Sequence, residues 1–311
     1  MKVLRIGLAR DLGLLVVAFF LSSTSNAVGV GGLVVFGDSL SDTGNLFAAT
    51  GGTVPPPPYF NGRFSNGLIW VDTLTSSLSI SVDNYAVGGA QTGTMNVNDG
   101  LPGGPFGGLQ DQIADYTGGT VDTTATHIVW AGANNFTTIP ADISAAISTS
   151  VTELLTAVGN LKAQGVTDIW LINLPDLGLT PRLLDLGLGA QGSALTDAFN
   201  GALNTGLAGA GFTDVNVFDS AGALRDIVAD PGAFGFANVT DGCLNDLTCL
   251  LSPTVADTYM FWDDIHPTTV THDILAQRLE VALMHAIPVP AAVWLFASAL
   301  MALGWARRRV A

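Results

Sequence analysis

The chain has 311 residues, of which 26 are acidic and 11 basic, giving a formal net charge of −15 at pH 7 with 48% hydrophobic and only 12% charged residues. This balance argues against nucleic acid as a partner, because phosphate binding needs basic patches and only Arg63, Lys162, Arg182, Arg225 and Arg278 lie between the two ends. Four histidines with no His-Glu-x-x-His arrangement, and no cysteine pair spaced for zinc, suggest no metal site and no cofactor.

At the start, Lys2, Arg5 and Arg10 precede the apolar run 12–21, and Ser25-Asn26-Ala27 supplies small residues. This is the layout of a secretory signal peptide, cut after Ala27 by signal peptidase. Residues 28–285 then form one domain, a length that a single core can fill. At the far end no charged residue occurs from Ala286 to Ala306, and Arg307-Arg308-Arg309 follow. The pattern predicts a transmembrane helix whose arginines stay on the cytoplasmic side, with the body outside the inner membrane.

Within the body, apolar β-rich runs recur at 33–37, 80–82, 127–131, 168–174 and 215–218. Stretches with near-helical spacing at 68–78, 143–161, 194–207 and 268–284 separate them. The alternation predicts an α/β domain, a three-layer α/β/α sandwich around a central parallel sheet. Gly, Pro and Asn cluster at 51–62 and 92–108, long loops expected to shape a binding cleft, with Pro55 to Pro58 as a stiff extended segment.

The first run ends in Gly37-Asp38-Ser39, which places a serine hydroxyl in a turn after a strand, as α/β folds present reactive groups. On its own this triplet reads equally well as a helix cap. Far downstream, Trp262-Asp263-Asp264-Ile265-His266-Pro267 supplies carboxylates and an imidazole. Together they complete the set for serine-based acyl transfer: Ser39 as nucleophile, His266 as base, and Asp263, or its rival Asp264, as the acid that orients it. Asn84-Tyr85-Ala86-Val87-Gly88-Gly89 offers a backbone amide at Gly89, and Gly132-Ala133-Asn134 a side-chain amide, both suited to developing negative charge. Cys243 and Cys249 are the only cysteines, and export predicts a disulfide between them.

The four blocks around Ser39, Gly89, Asn134 and His266 resemble, in order and spacing, the GDSL family of lipases and esterases, also called SGNH hydrolases. Phe36-Gly37-Asp38-Ser39-Leu40-Ser41-Asp42-Thr43-Gly44-Asn45 matches the first block closely, and Gly62-Arg63-Phe64-Ser65-Asn66-Gly67 looks like a signature of its plant-type and autotransporter branch. The resemblance implies a flavodoxin-like fold and an ester hydrolase acting on small-molecule or lipid esters through an acyl-enzyme. It favours Asp263 over Asp264 and an oxyanion hole from Ser39, Gly89 and Asn134. Acyl transfer to an alcohol, deacetylation of a sugar, or a surface or matrix protein that binds without turnover are the rival readings. The missing second glycine after Ser39 sets the chain apart from Gly-x-Ser-x-Gly hydrolases. One departure is Asn135, where the family's third block usually carries Asp. Finally, Ile287-Pro288-Val289-Pro290-Ala291-Ala292 with the helix and arginines resembles the PEP-CTERM sorting signals of the Val-Pro-Leu-Pro-Ala variety. That resemblance implies exosortase processing and a periplasmic, surface or extracellular location.

Overall fold

The structure, a computed structural model, describes residues 30–137 and 140–286, so the expected signal peptide and the sorting segment beyond Ala286 lie outside the described residues. Among the described residues no helix is long and apolar enough to cross a membrane.

Five strands form one parallel sheet: β1 (Leu33–Gly37), β2 (Val82–Asn84), β3 (Thr126–Trp130), β4 (Ile169–Ile172) and β5 (Asn216–Phe218), in the order β2-β1-β3-β4-β5. The register sets Val35 beside both Asn84 and Ile128, and Leu171 beside Val217. A parallel sheet is covered on both faces, which is why β1, β3 and β4 are buried along their whole length.

The helices in chain order are α1 (Asn45–Ala49), α2 (Trp70–Leu78), α3 (Leu109–Thr117), α4 (Ile143–Ala163), α5 (Pro181–Asp185), α6 (Gly189–Gly209), α7 (Ser220–Ala229), α8 (Leu247–Leu251), α9 (Pro253–Ala256) and α10 (Thr269–Ala286). Val34, Phe36 and Val129 point into a core completed by α3, α4 and α6. Their neighbours Leu33, Val35, Ile128 and Trp130 point the other way, into a core with α2, α7 and α10. The result is the expected α/β/α sandwich.

Two elements depart instructively from the sequence reading. The second strand starts at Val82 rather than residue 80, because the N–H of Ile80 is used to close the end of α2, donating to Thr75 O at 3.1 Å past a left-handed Ser79. A small second sheet, β6 (Asn238–Gly242) beside β7 (Tyr259–Phe261), leads into the Asp263–His266 segment.

The strand order reverses between β1 and β3, since the chain leaves β1 for β2 on one side and returns to β3 on the other. In open α/β sheets such a switch point opens a crevice at the carboxyl ends of the strands. Ser39 follows β1 and Asn134 follows β3, one on each side of that crevice.

Candidate active site

The turn after β1 is held by close packing. A Cβ on Gly37 would sit 2.2 Å from the carbonyl oxygen of Trp130, so only glycine fits where β1 meets β3. Gln112 on α3 clasps the same residue, its Oε1 accepting from Gly37 N at 2.9 Å and its Nε2 donating to Gly37 O at 2.8 Å. The carbonyl of Asp38 accepts from Ser41 N and Asp42 N, and its Oδ1 accepts from Leu40 N, which turns the chain sharply at Ser39. Burial pushes the Asp38 carboxyl up to about 6, against the opposing pull of the Leu40 amide and the charge of His266. Asp42 reaches further. Its carboxylate accepts from Gly44, Asn45 and Leu46 at the start of α1 and, at 2.7 Å, from Gly88, tying the Ser39 turn to the glycines after β2.

The acid–base segment folds on one carboxylate. Asp263 Oδ1 accepts the backbone N–H groups of Ile265 (2.8 Å) and His266 (2.6 Å), a local turn of the kind Asp favours. Asp263 Oδ2 meets His266 Nδ1 at 2.6 Å, and His266 Nε2 lies 2.8 Å from Ser39 Oγ, 227 positions away in sequence. Burial alone raises the Asp263 carboxyl, but the charge of His266 and hydrogen bonds from His266 and Tyr59 outweigh it and hold the group well below the usual carboxylate range. Asp264 points elsewhere, accepting from Arg182 Nε at 2.7 Å. The disulfide Cys243–Cys249 (Cα–Cα 5.4 Å) lies beside this segment, and Leu244 N donates to Trp262 O at 2.9 Å.

The proline-rich loop has a different task from the one its composition suggested. It is not extended throughout but turns at Pro56–Tyr59, where Tyr59 N donates to Pro56 O. The turn delivers the Tyr59 hydroxyl to Asp263 Oδ2 at 2.5 Å. Burial, together with the charge of Asp263, pushes the Tyr59 phenol well above its ordinary value, so it stays a donor. The Gly62–Gly67 signature follows. Phe64 packs its ring 5.0 Å from that of His266, Ser65 Oγ donates to Pro267 O at 2.8 Å, and Asn66 Oδ1 accepts from Thr269 N at 2.8 Å. This segment is a strap across the acid–base turn.

The third group of donors comes from β2 and β3. Gly89 has φ +85°, and a Cβ there would lie 2.3 Å from Asn98 Nδ2 and 2.5 Å from Asn96 Oδ1, so glycine is required. Both asparagines donate to Gly88 O, which shows what the 92–108 loop does: it clamps the Gly88–Gly89 peptide. Among the described residues neither Ser39 N–H nor Gly89 N–H donates to a protein acceptor. Asn134 Nδ2 donates to Ala90 O at 3.1 Å, and the same side-chain amide also favours the Asp38 carboxylate. Asn135 donates through Nδ2 to Thr92 Oγ1 at 2.8 Å, and Thr92 donates on to Glu153 Oε2 at 2.5 Å. Glu153 thus supplies, one bond further out, the carboxylate that Asn135 lacks.

A cavity of about 390 Å³ opens beside Ser39, Asn134 and His266. Its wall comes from residues 130–137, 175–188 and 261–267, with Leu224 and Leu275, and not from the long loops at 51–62 and 92–108 that the sequence suggested. Sequence reasoning missed Gln112, Tyr59 and Asp42. Gln112 breaks the apolar stripe of α3 and so hid the helix that carries it, and nothing local marked the roles of the other two. Among the described residues no cluster of three or more His, Cys, Asp or Glu could hold a metal ion.

Residues 33–279 match the GDSL-like lipase/acylhydrolase family. The chain is 26% identical to the phosphatidylcholine-sterol acyltransferase of Aeromonas hydrophila over 79% of its own length and 88% of that protein. It is 28% identical to esterase EstA of Pseudomonas aeruginosa over 78% of its length and 45% of that protein. A family two carbohydrate esterase from Clostridium thermocellum is similar in structure at 16% identity, with a TM-score of 0.48, covering 83% of this chain and 64% of the other. With its family model matched across most of the chain, this protein belongs to the GDSL-like lipases and acylhydrolases, enzymes that hydrolyse ester bonds.

Proposed function

We propose that the protein is an exported serine esterase that cleaves carboxylic esters through an acyl-enzyme. The observation that carries the reading is the unbroken relay from Ser39 Oγ to His266 Nε2 and from His266 Nδ1 to Asp263 Oδ2. His266 removes the Ser39 proton as the oxygen attacks the ester carbonyl, and Asp263 holds the ring in the tautomer that leaves Nε2 free to accept. The Ser39 and Gly89 N–H groups and the Asn134 side-chain amide stabilise the oxyanion, each such donor being worth about 3 to 4 kcal/mol. His266 then returns the proton to the leaving alcohol, and water, activated by the same imidazole, releases the acid.

The export half of the reading rests on sequence alone: a signal peptide at 1–27, the hydrolase domain at 28–285 and a PEP-CTERM-type sorting signal at 286–311, placing the product in the periplasm, at the cell surface or outside. Mass spectrometry of the mature termini tests it, and a chain found with both ends intact sinks it. For the chemistry, a fluorophosphonate should label the protein stoichiometrically and lose its target in Ser39→Ala, with nitrophenyl ester hydrolysis lost in parallel. Equal labelling of the alanine variant would refute it. The Aeromonas acyltransferase favours a second reading, in which an alcohol replaces water in the last step. Product analysis with a sterol acceptor separates the two.

A further inference from the structure

We propose that the cavity beside Ser39 is an acyl pocket, so that the preferred esters carry a medium to long unbranched hydrocarbon acyl chain and not an acetyl group. The proposal builds on the serine esterase reading and adds the substrate class to it.

The first argument is chemical. The wall is dominated by Phe136, Leu177, Leu183, Leu188, Leu224 and Ile265, whereas a sugar site needs convergent polar groups to fix its hydroxyls. Most polar members of the wall are already engaged, the terminal N–H groups of Arg182 excepted. Thr180 Oγ1 donates to Leu177 O at 2.6 Å, Arg182 is paired with Asp264, and Asp176 accepts from Arg225, Ser193 and Gly178 N. The Thr180 and Asp176 bonds run into the protein, so the half-exposed Arg182 at the wall stands alone where a carbohydrate would need several convergent polar groups.

The second argument is spatial. Much of the wall, residues 130–137 and 175–188, follows β3 and β4 and so lies on the Asn134 side of Ser39, within reach of a chain attached to a carbonyl that Asn134 contacts. The leaving alcohol belongs near His266 Nε2, which protonates it. Leu186, 63% exposed, gives the cavity an apolar rim. At roughly 30 Å³ per water-sized group, the cavity of about 390 Å³ has space for about a dozen heavy atoms, the size of an octanoyl to dodecanoyl chain.

Each methylene buried in the transition state is worth about fourfold in kcat/KM. The test is a series of nitrophenyl esters from acetyl to palmitoyl, read as the decanoyl-to-acetyl ratio of kcat/KM. That ratio should exceed about tenfold in the wild type and fall at least tenfold in Leu183→Trp or Leu188→Trp, which plug the wall, while Lys162→Ala on the far helix α4 leaves it unchanged. Calorimetric titration of decanoate into Ser39→Ala provides a readout independent of turnover, with binding expected there and absent when Leu183→Trp is added. A flat or acetyl-favouring series with Ser39 still labelled by the fluorophosphonate overturns the pocket and spares the esterase. Decanoate binding that is lost on plugging, in a protein with neither labelling nor hydrolysis, does the reverse. A dependence on the length of the alcohol alone also overturns the assignment.

Discussion

Replacing Asp38 by Asn should stabilise the protein above neutrality while slowing it as a catalyst. Asp38 is 1% exposed, and burial lifts its carboxyl from 3.8 to about 6 in spite of the Leu40 N–H that it accepts. An acid whose folded value is raised binds protons more tightly folded than unfolded, so stability falls as pH rises from about 4 to about 6 and stays reduced above. The difference between the two values corresponds to on the order of 3 kcal/mol at pH 7 to 8. Asparagine keeps the acceptor for Leu40 and removes the buried charge. The variant and wild type should therefore unfold alike at pH 4 in urea titrations, with the variant pulling ahead by roughly 3 kcal/mol by pH 8. The same carboxylate and the His266 imidazolium favour one another, so the variant should also lose transition-state stabilisation, seen as a lower kcat. A stability difference independent of pH, or of the opposite sign at pH 8, would refute the argument that burial holds this group above its ordinary value.

Three other substitutions probe the rest of the machinery. Tyr59→Phe removes one of the two donors at Asp263 Oδ2, a charged hydrogen bond worth about 1.5 to 3 kcal/mol, and should cut kcat about tenfold or more and move the acid limb of the kcat/KM profile, as stopped-flow assays across pH would show. Asp263→Ala should abolish ester hydrolysis, whereas Asp264→Ala, which breaks only the half-exposed pair with Arg182, should keep most of it; steady-state rates showing the reverse order would reassign the orienting acid. Serines at Cys243 and Cys249 together remove a short covalent loop worth about 2 kcal/mol by chain entropy, measurable as a lower melting temperature.

Much of the site was legible because its parts are local. An apolar strand followed by Gly37-Asp38-Ser39, and a carboxylate three positions ahead of an imidazole, are readable within ten residues. The same holds for β1 and β4, whose burial on both faces forces apolar runs, and for the Ile128–Trp130 end of β3. What escaped was long in range or polar in character. The hydroxyl of Tyr59 meets a carboxylate 204 positions away, and Gln112 reaches back 75 positions to Gly37. Helix α3 follows a glycine-rich loop and interrupts its apolar stripe with that glutamine, so its period was hidden. Strand β6 is short and only partly buried, and with Asn, Thr and Asp around a single Val239 it offers little apolar signal. Asp264 was a rival for Asp263 because spacing alone does not say that Arg182 is waiting for it.

The nucleophile and its base hang from different sheets. Ser39 is fastened to the five-stranded sheet, whereas His266 hangs from the two-stranded one and is lashed down by the Gly62–Gly67 strap and a sulfur crosslink. Yet Met260 and Phe261 of the smaller sheet share a core with Leu33 and Val35 of the larger, so warming or denaturant should silence the protein toward esters and erase its circular dichroism together.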